Sequence, residues 1–212
     1  MAWQKSVLSK TYDESFIPEI FSKAETLHFT ILMLPLESEE QLELCRQALQ
    51  SVQDQVQTMI KERGQDGALT LNYGELSIFG TPQKTRVVYQ KLQEEGSQWD
   101  LFVDICDLLI KTMLDKHILW EDELSYISKD PETSKQRPNQ PHISLLNSAH
   151  AVEELKKLGG RYSFFGEPLI KDQFLNLKLS PFQAQTIELS KRKTSAEDGF
   201  YHADFTIPIS NK

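Results

Sequence analysis

The sequence predicts an α+β fold, with two long amphipathic helices on one face of a mostly antiparallel sheet. Two observations support this prediction. Apolar residues recur at three- and four-residue spacing over 38–64 and 97–116, which is the pattern of a helix with one buried face. Short apolar runs bounded by turn residues surround these helices, and the first half of the chain reads strand–helix–strand–strand–helix. This order of elements is typical of an antiparallel sheet that is covered by helices on one face.

The composition is that of an ordinary globular protein, and it limits the partners. The chain has 212 residues, of which 39% are hydrophobic and 25% are charged. Its net charge of −8 argues against a broad surface that binds nucleic-acid phosphates nonspecifically, although a small local phosphate pocket is compatible with it. No apolar run is long enough to cross a bilayer, so we expect no membrane partner.

The first predicted helix has clear boundary signals. Ser38 is followed three residues later by Gln41, which is the spacing of a capping box, and Gly64 ends the helix. The other elements are less regular. They are a helical segment over 1–25, strands at 27–34, 69–79 and 85–92, a helix from Ser97 to 116, a polar loop over 124–140, a strand at 141–147, a helix at 150–158, and strands near 173–179, 185–191 and 200–209.

Two apolar runs each carry a histidine near the start. They read "LHFTILMLP" at 27–35 and "PHISLLNSA" at 141–149. Alternate residues of a strand point to the same face. His28 would therefore lie beside Thr30, and His142 would lie beside Ser144. Each strand would present an imidazole next to a hydroxyl.

Such a pair suits phosphodiester chemistry. One imidazole can remove a proton from water or a ribose hydroxyl, and the other can protonate the leaving oxygen. The hydroxyls of Thr30 and Ser144 would hold the phosphate oxygens. This chemistry requires neither a metal nor another cofactor, and we predict none. The residues alone leave a second interpretation open, in which His28 and His142 are unrelated strand residues.

Further candidate substrate contacts are Tyr89, Lys135, Arg137, Tyr201 and His202. Each has an ordinary structural alternative. Tyr89 would either stack on a base or line the core. Lys135 and Arg137 would either steer a phosphate chain or belong to a solvated loop. Tyr201 lies on the apolar face of its predicted strand, while His202 lies on the opposite, polar face.

The two cysteines are predicted to be buried. Cys45 and Cys106 fall at apolar positions of the two helices, which indicates reduced core thiols. Two cysteines cannot complete a four-ligand zinc site by themselves. Their location also argues against a cysteine nucleophile.

The histidine motifs resemble the paired His-x-Thr/Ser signatures of the two-histidine phosphoesterase superfamily. The closing segment "DGFYHADFTIPI" further resembles the end of its A-kinase anchor protein 7-like branch. The segments "LHFTILMLPLESEEQLELC", "VVYQKL" and "FFGEPLIKDQF" more specifically resemble the phosphoesterase domain of a transcription-coactivator subunit, and the resemblance covers roughly residues 20–209. The resemblance implies that His28 and His142 are the catalytic pair, with Thr30 and Ser144 as phosphate binders.

The resemblance also implies an architecture. Residues 26–212 would form a phosphoesterase-like domain with two lobes, 26–120 and 140–209, joined by the polar loop and enclosing a central cleft. Residues 1–25 would be a helical segment in place of the first strand usual in the family. The asparagine, glutamine and proline at 139–141 replace the basic residue that often precedes the second histidine in relatives.

The implied function is a metal-independent phosphodiesterase for RNA ends or for cyclic or 2′,5′-linked nucleotides. The implied location is the nucleus, and the implied partners are the subunits of a helicase-containing complex for coactivation and DNA-alkylation repair. The alternatives are a binding or scaffolding module of that complex without turnover, and a structural adaptor whose histidines only pack.

Overall fold

The computed structural model describes residues 17–23, 26–120, 125–157, 163, 180–191 and 201–209. The predicted α+β fold is confirmed, because these residues form helices and antiparallel sheets. The helices are α1 (Glu39–Arg63), α2 (Ser97–Asp115) and α3 (Val152–Lys157), with 3₁₀ turns at Pro18–Ile20 and Ser148–Ala151. The strands are β1 (Thr70–Leu71), β2 (Tyr73–Thr81), β3 (Lys84–Leu92), β4 (Ile127–Lys129), β5 (Gln136–Pro138), β6 (His142–Asn147), β7 (Phe182–Gln183), β8 (Thr186–Lys191) and β9 (His202–Pro208).

The chain divides into two compact units. The sheet unit contains the described residues of Met1–Phe29, Tyr73–Leu92 and His142–Leu179. The helical unit contains the described residues of Thr30–Asn72, Gln93–Pro141 and Ser180–Lys212. Each unit therefore collects three separate segments of the chain. The lobes expected from the resemblance are continuous segments, and they stay a prediction.

The sheet unit is built on three antiparallel strands in the order β2-β3-β6. β2 and β3 form a hairpin that turns at Pro82 and Gln83, between the strands predicted at 69–79 and 85–92. Gly80 has a φ of 103°, and a Cβ there would collide with the carbonyl oxygen of Lys84. Glycine is therefore required where the hairpin enters its turn.

A β-bulge in β6 determines the face of the sheet on which Leu146 lies. Cross-strand partners share a face, so Ser144 lies with Tyr89 while Leu146 lies on the other face with Val88. The register shifts at Leu145, which makes a β-bulge. Strict alternation predicts that Leu146 shares a face with Ser144. The bulge moves Leu146 to the opposite face, where it is fully buried.

The segment before the first histidine motif contacts β6. Phe21 forms a bridge with Leu146, and the Ser22 N–H donates to the Leu145 carbonyl at 2.9 Å. The predicted strand at 27–34 is wrong, since this stretch has neither helix nor strand. A strand requires a neighbour that completes its ladder. The edge of β6 is instead engaged by Phe21 and Ser22, a few residues earlier.

The helical unit begins with α1, whose predicted capping box is confirmed. The Gln41 N–H donates to the Ser38 hydroxyl at 3.2 Å, and the Ser38 N–H donates to the Gln41 side chain at 3.1 Å. Gly64 caps the carboxyl end, where a Cβ would collide with the carbonyl of Ile60. Local sequence therefore sets both ends of this helix.

Helix α2 packs against α1 and supplies more buried apolar side chains than any other described element of this unit. Ser97, which the sequence suggests as the cap of this helix, is instead its first residue, and Gly96, with a φ of 87°, is at the cap position. The predicted burial of both cysteines is confirmed. Burial raises the pKa of the Cys45 thiol to about 11, and it also raises the pKa of Cys106. Neither thiol is therefore a thiolate at neutral pH.

The predicted polar loop is partly ordered as a hairpin of β4 and β5. Asp130 closes its turn, because its carboxylate accepts from the N–H groups of Glu132 and Thr133 at 3.1 and 2.9 Å. Ser134 takes the left-handed conformation with a φ of 59°. The expectation of a structureless loop is therefore wrong for the residues from 125 to 140.

The carboxyl-terminal hairpin pairs β8 with β9, close to the predicted bounds. Its register shifts at Asp204, so His202 pairs with Lys191 while Phe205 pairs with Leu189. Alternate residues of β8 share a face, and this bulge therefore puts His202 on the face of Phe205 instead of the polar face. The strand predicted near 173–179 lies outside the described residues.

Among the described residues, no helix is both long and apolar enough to span a membrane.

Candidate active site

His142 is the first residue of β6 and is half-buried at the end of the sheet. Its cross-strand partner is Lys91, whose ammonium forms an ion pair with Glu75 on β2. Ser144 lies two residues further along the strand and pairs with Tyr89. The imidazole and hydroxyl of the second motif therefore share one half-buried face, as the strand pattern predicts.

Two aromatic rings surround the His142 imidazole. The Tyr89 ring lies 4.8 Å from it, centroid to centroid, and the Phe79 ring lies 5.2 Å away in an edge-to-face arrangement. Phe79 and Tyr89 stack on each other at 4.3 Å. Tyr89 is only 3% exposed. Tyr89 therefore packs against both rings, and its role in stacking on a base stays a prediction.

His28 belongs to the same unit but lies on an irregular segment and is exposed. Its Nδ1 lies 2.9 Å from the carbonyl oxygen of Thr26. A carbonyl only accepts, so Nδ1 is the donor in this bond. In the neutral imidazole the proton is therefore on Nδ1, and Nε2 is the basic nitrogen.

His150 is a titratable residue that the sequence motifs do not single out. It lies in the 3₁₀ turn that follows β6, and partial desolvation lowers its pKa. The nearby positive charge of His28 lowers the pKa further. The charge of His28 thus acts on a second imidazole, which belongs to no His-x-Ser/Thr motif. In the sequence, the signal that could have pointed to His150 is its position just after the second motif.

The other candidate contacts belong to the helical unit. Thr30, Tyr201 and His202 are exposed. Thr30 lies in a segment without strand structure, so strand alternation does not place it beside His28.

The two basic candidates have acidic partners within the helical unit. Lys135 forms an ion pair with Asp104. Arg137 pairs with Glu94 at 3.0 Å, and its guanidinium lies 5.3 Å from the ring centroid of Trp99. Both cations are therefore engaged in contacts that stabilise the fold.

Within the described ranges, no group of three or more His, Cys, Asp and Glu side chains is arranged to hold a metal ion.

These features belong to a known class of domain. The family model described as "AKAP7 2'5' RNA ligase-like domain" matches residues 1–209, and the chain therefore belongs to this family. The family is part of the two-histidine phosphoesterase superfamily, so the predicted superfamily is confirmed and the chain is a phosphodiesterase-like domain. The chain is also similar to a protein of Schizosaccharomyces pombe (strain 972) described as "Uncharacterized protein C15D4.13c". The two are 23% identical over 203 residues, covering 94% of this chain and 85% of the yeast protein.

Proposed function

We propose that this domain is a metal-independent phosphodiesterase for RNA ends and nucleotides with cyclic, 3′,5′ or 2′,5′ linkages. His28 and His142 are its general acid and base, and Thr30 and Ser144 hold the phosphate oxygens. The observation that supports this most is the alternation of His142 and Ser144 on β6, within a chain of the two-histidine superfamily. Tyr201, His202, Lys135 and Arg137 are proposed as outer substrate contacts.

The proposed reaction requires two proton transfers. One imidazole removes the proton from the attacking water or ribose 2′-hydroxyl while that oxygen forms a new bond to phosphorus. The other imidazole donates its proton to the leaving oxygen as the original P–O bond breaks. The Nδ1–H of His28 is bonded to the Thr26 carbonyl, so its Nε2 is suited to the role of base. His142 would then begin the cycle as the protonated acid.

The proposed setting is a nuclear complex that contains a helicase and acts in transcription coactivation and DNA-alkylation repair. The support is the similarity of the flanking segments to the phosphoesterase domain of activating signal cointegrator 1 complex subunit 1. Co-purification of the tagged chain with a helicase from nuclear extract tests this assignment. Recovery of the chain outside the nucleus and without a helicase would contradict it.

The catalytic proposal is tested by substituting each histidine separately. We expect His28→Ala and His142→Ala each to lower kcat by about 10² to 10⁴-fold, because each removes a general acid or base. Turnover is measured on 2′,3′-cyclic, 3′,5′- and 2′,5′-linked substrates, with and without a chelator. A chelator should leave the rate unchanged, and the pH profile should be bell-shaped.

His117→Asn is the matched control for these substitutions. His117 lies just after α2 with a φ of 55°, a conformation that asparagine tolerates. It belongs to the helical unit and stacks on Trp120. We expect this variant to keep its activity. Full activity of either catalytic-pair variant, with its fold intact by circular dichroism, would contradict the proposal.

A second candidate function is recognition of RNA ends without turnover. It is favoured by the ion pairs that engage Lys135 and Arg137, since these leave less positive charge to hold a long phosphate chain. This function predicts saturable nucleotide binding with no product. Titration calorimetry with the same substrates, combined with product analysis, separates the two functions.

A further inference from the structure

The Phe79 ring has no role in the motifs, yet it contacts His142 directly. The three rings of Phe79, Tyr89 and His142 form a closed cluster in which every pair is in contact, at centroid distances of 4.3 to 5.2 Å. We call these residues the aromatic triad. A closed cluster restrains each of its members from two sides.

The sheet register explains why the aromatic triad forms. Tyr89 on β3 pairs with Ser77 on β2 and with Ser144 on β6. Phe79 lies two residues after Ser77, and His142 lies two residues before Ser144. All three rings therefore lie on one face of the sheet. Tyr89, on the central strand, is diagonal to both Phe79 and His142, and long side chains can bridge such positions.

An imidazole at the end of a strand needs such restraint. Rotation about the χ2 bond of histidine is broad, so the backbone alone does not fix the direction of the ring nitrogens. Proton transfer requires the nitrogen to lie within hydrogen-bond distance of the reacting oxygen and to point at it. Ring packing on two sides can supply this orientation without adding a charge.

We propose that Phe79 is a positioning residue that, together with Tyr89, holds the His142 imidazole in one orientation. It acts through His142 and touches no substrate. The catalytic part of this inference rests on the proposed function. The orientation itself does not, because it belongs to the folded protein whether or not the protein turns over a substrate.

Phe79→Leu tests the inference, because it removes the ring while keeping an apolar side chain. We expect kcat to fall by about tenfold to a hundredfold with KM nearly unchanged, since only the alignment of the reacting group is lost. The nuclear Overhauser signals between the His142 and Tyr89 rings, identified by their loss in His142→Gln, should weaken in the NMR spectrum as the imidazole leaves its single orientation. Phe79→Tyr retains the ring and should restore both kcat and the signals.

Phe102→Leu is the control. Phe102 packs on Trp99 in the helical unit, so the variant removes a ring from an aromatic pair that contains no histidine. It should leave kcat and the His142 signals unchanged.

Two results would overturn the inference. One is a set of His142–Tyr89 Overhauser signals in Phe79→Leu that matches the wild type. The other is a weakened set of these signals with an unchanged kcat. If the wild-type protein shows no turnover, the proposed function fails, and the NMR comparison alone decides whether Phe79 orients His142.

Discussion

His150 shows how one residue can make stability depend on pH. Partial desolvation, and then the charge of His28, lower its pKa below the ordinary value of 6.5. The folded state therefore binds a proton at His150 more weakly than the unfolded state does. Stability is full above pH 6.5 and is lost as the pH falls toward the lowered pKa.

We predict that His150→Gln weakens this loss of stability on the acid side. Because the variant cannot take up the proton, its free energy of unfolding should fall less than that of the wild type between about pH 7 and about pH 5. Urea unfolding at several pH values measures the difference. His117→Asn should keep the wild-type dependence, and an identical pH dependence for His150→Gln would refute the assignment.

Helix α1 shows how local sequence contributes to the stability of an element. We predict that Ser38→Ala lowers the free energy of unfolding by about 1 kcal/mol, because it removes the acceptor for an N–H of the first turn. Chemical denaturation measures the change.

Ser51→Ala is the internal control for this prediction. Ser51 lies within the same helix, where its hydroxyl donates to the Ala48 carbonyl at 2.7 Å. Alanine is the better helix former, so this variant should be neutral or slightly stabilising. Equal losses from the two substitutions would show that the capping box contributes nothing specific.

The hairpin of β4 and β5 shows where element prediction failed. Its strands have three residues each, which is too short for a hydrophobic period to be visible. Asp130 and the left-handed Ser134 close its turn, and such turn chemistry is hard to separate from an ordinary polar loop. The strand predicted at 27–34 failed for the opposite reason. Its apolar pattern is clear, but β6 pairs with an earlier segment.

At the scale of the whole molecule, the excess of acidic residues makes their pairing important for stability. The chain has 31 Asp and Glu residues against 23 Lys and Arg residues. Asp104 receives hydrogen bonds from both Lys135 and Arg63, and its side chain is only 16% exposed. Burial alone would raise the pKa of Asp104, but these two cations hold it below its ordinary value.

We predict that Asp104→Asn lowers the free energy of unfolding at neutral pH by about 1–2 kcal/mol, since one carboxylate serves two cations. The lowered pKa means that this stabilisation is full above pH 3.8 and is lost as the pH falls through the folded value. The difference in the free energy of unfolding between the variant and the wild type should therefore become smaller in acid. Urea unfolding between about pH 7 and about pH 3 tests this. Asp54→Asn, at an exposed position of α1, should show no comparable gap.

The sequence by itself determined the fold class, the bounds of α1 and the burial of both cysteines. It also determined that His142 and Ser144 lie on one face of their strand. These features depend on short-range periodicity and capping, which a few neighbouring residues specify. Tertiary structure decided that Phe79 and Tyr89 pack on His142, that the charge of His28 acts on His150, and that Lys135 and Arg137 bind carboxylates. The ring contacts depend on the register of β2, β3 and β6, and the faces of Leu146 and His202 depend on the bulges at Leu145 and Asp204. One extra residue in a ladder reverses the face of every residue beyond it, and strict alternation along a single strand does not reveal where that residue lies.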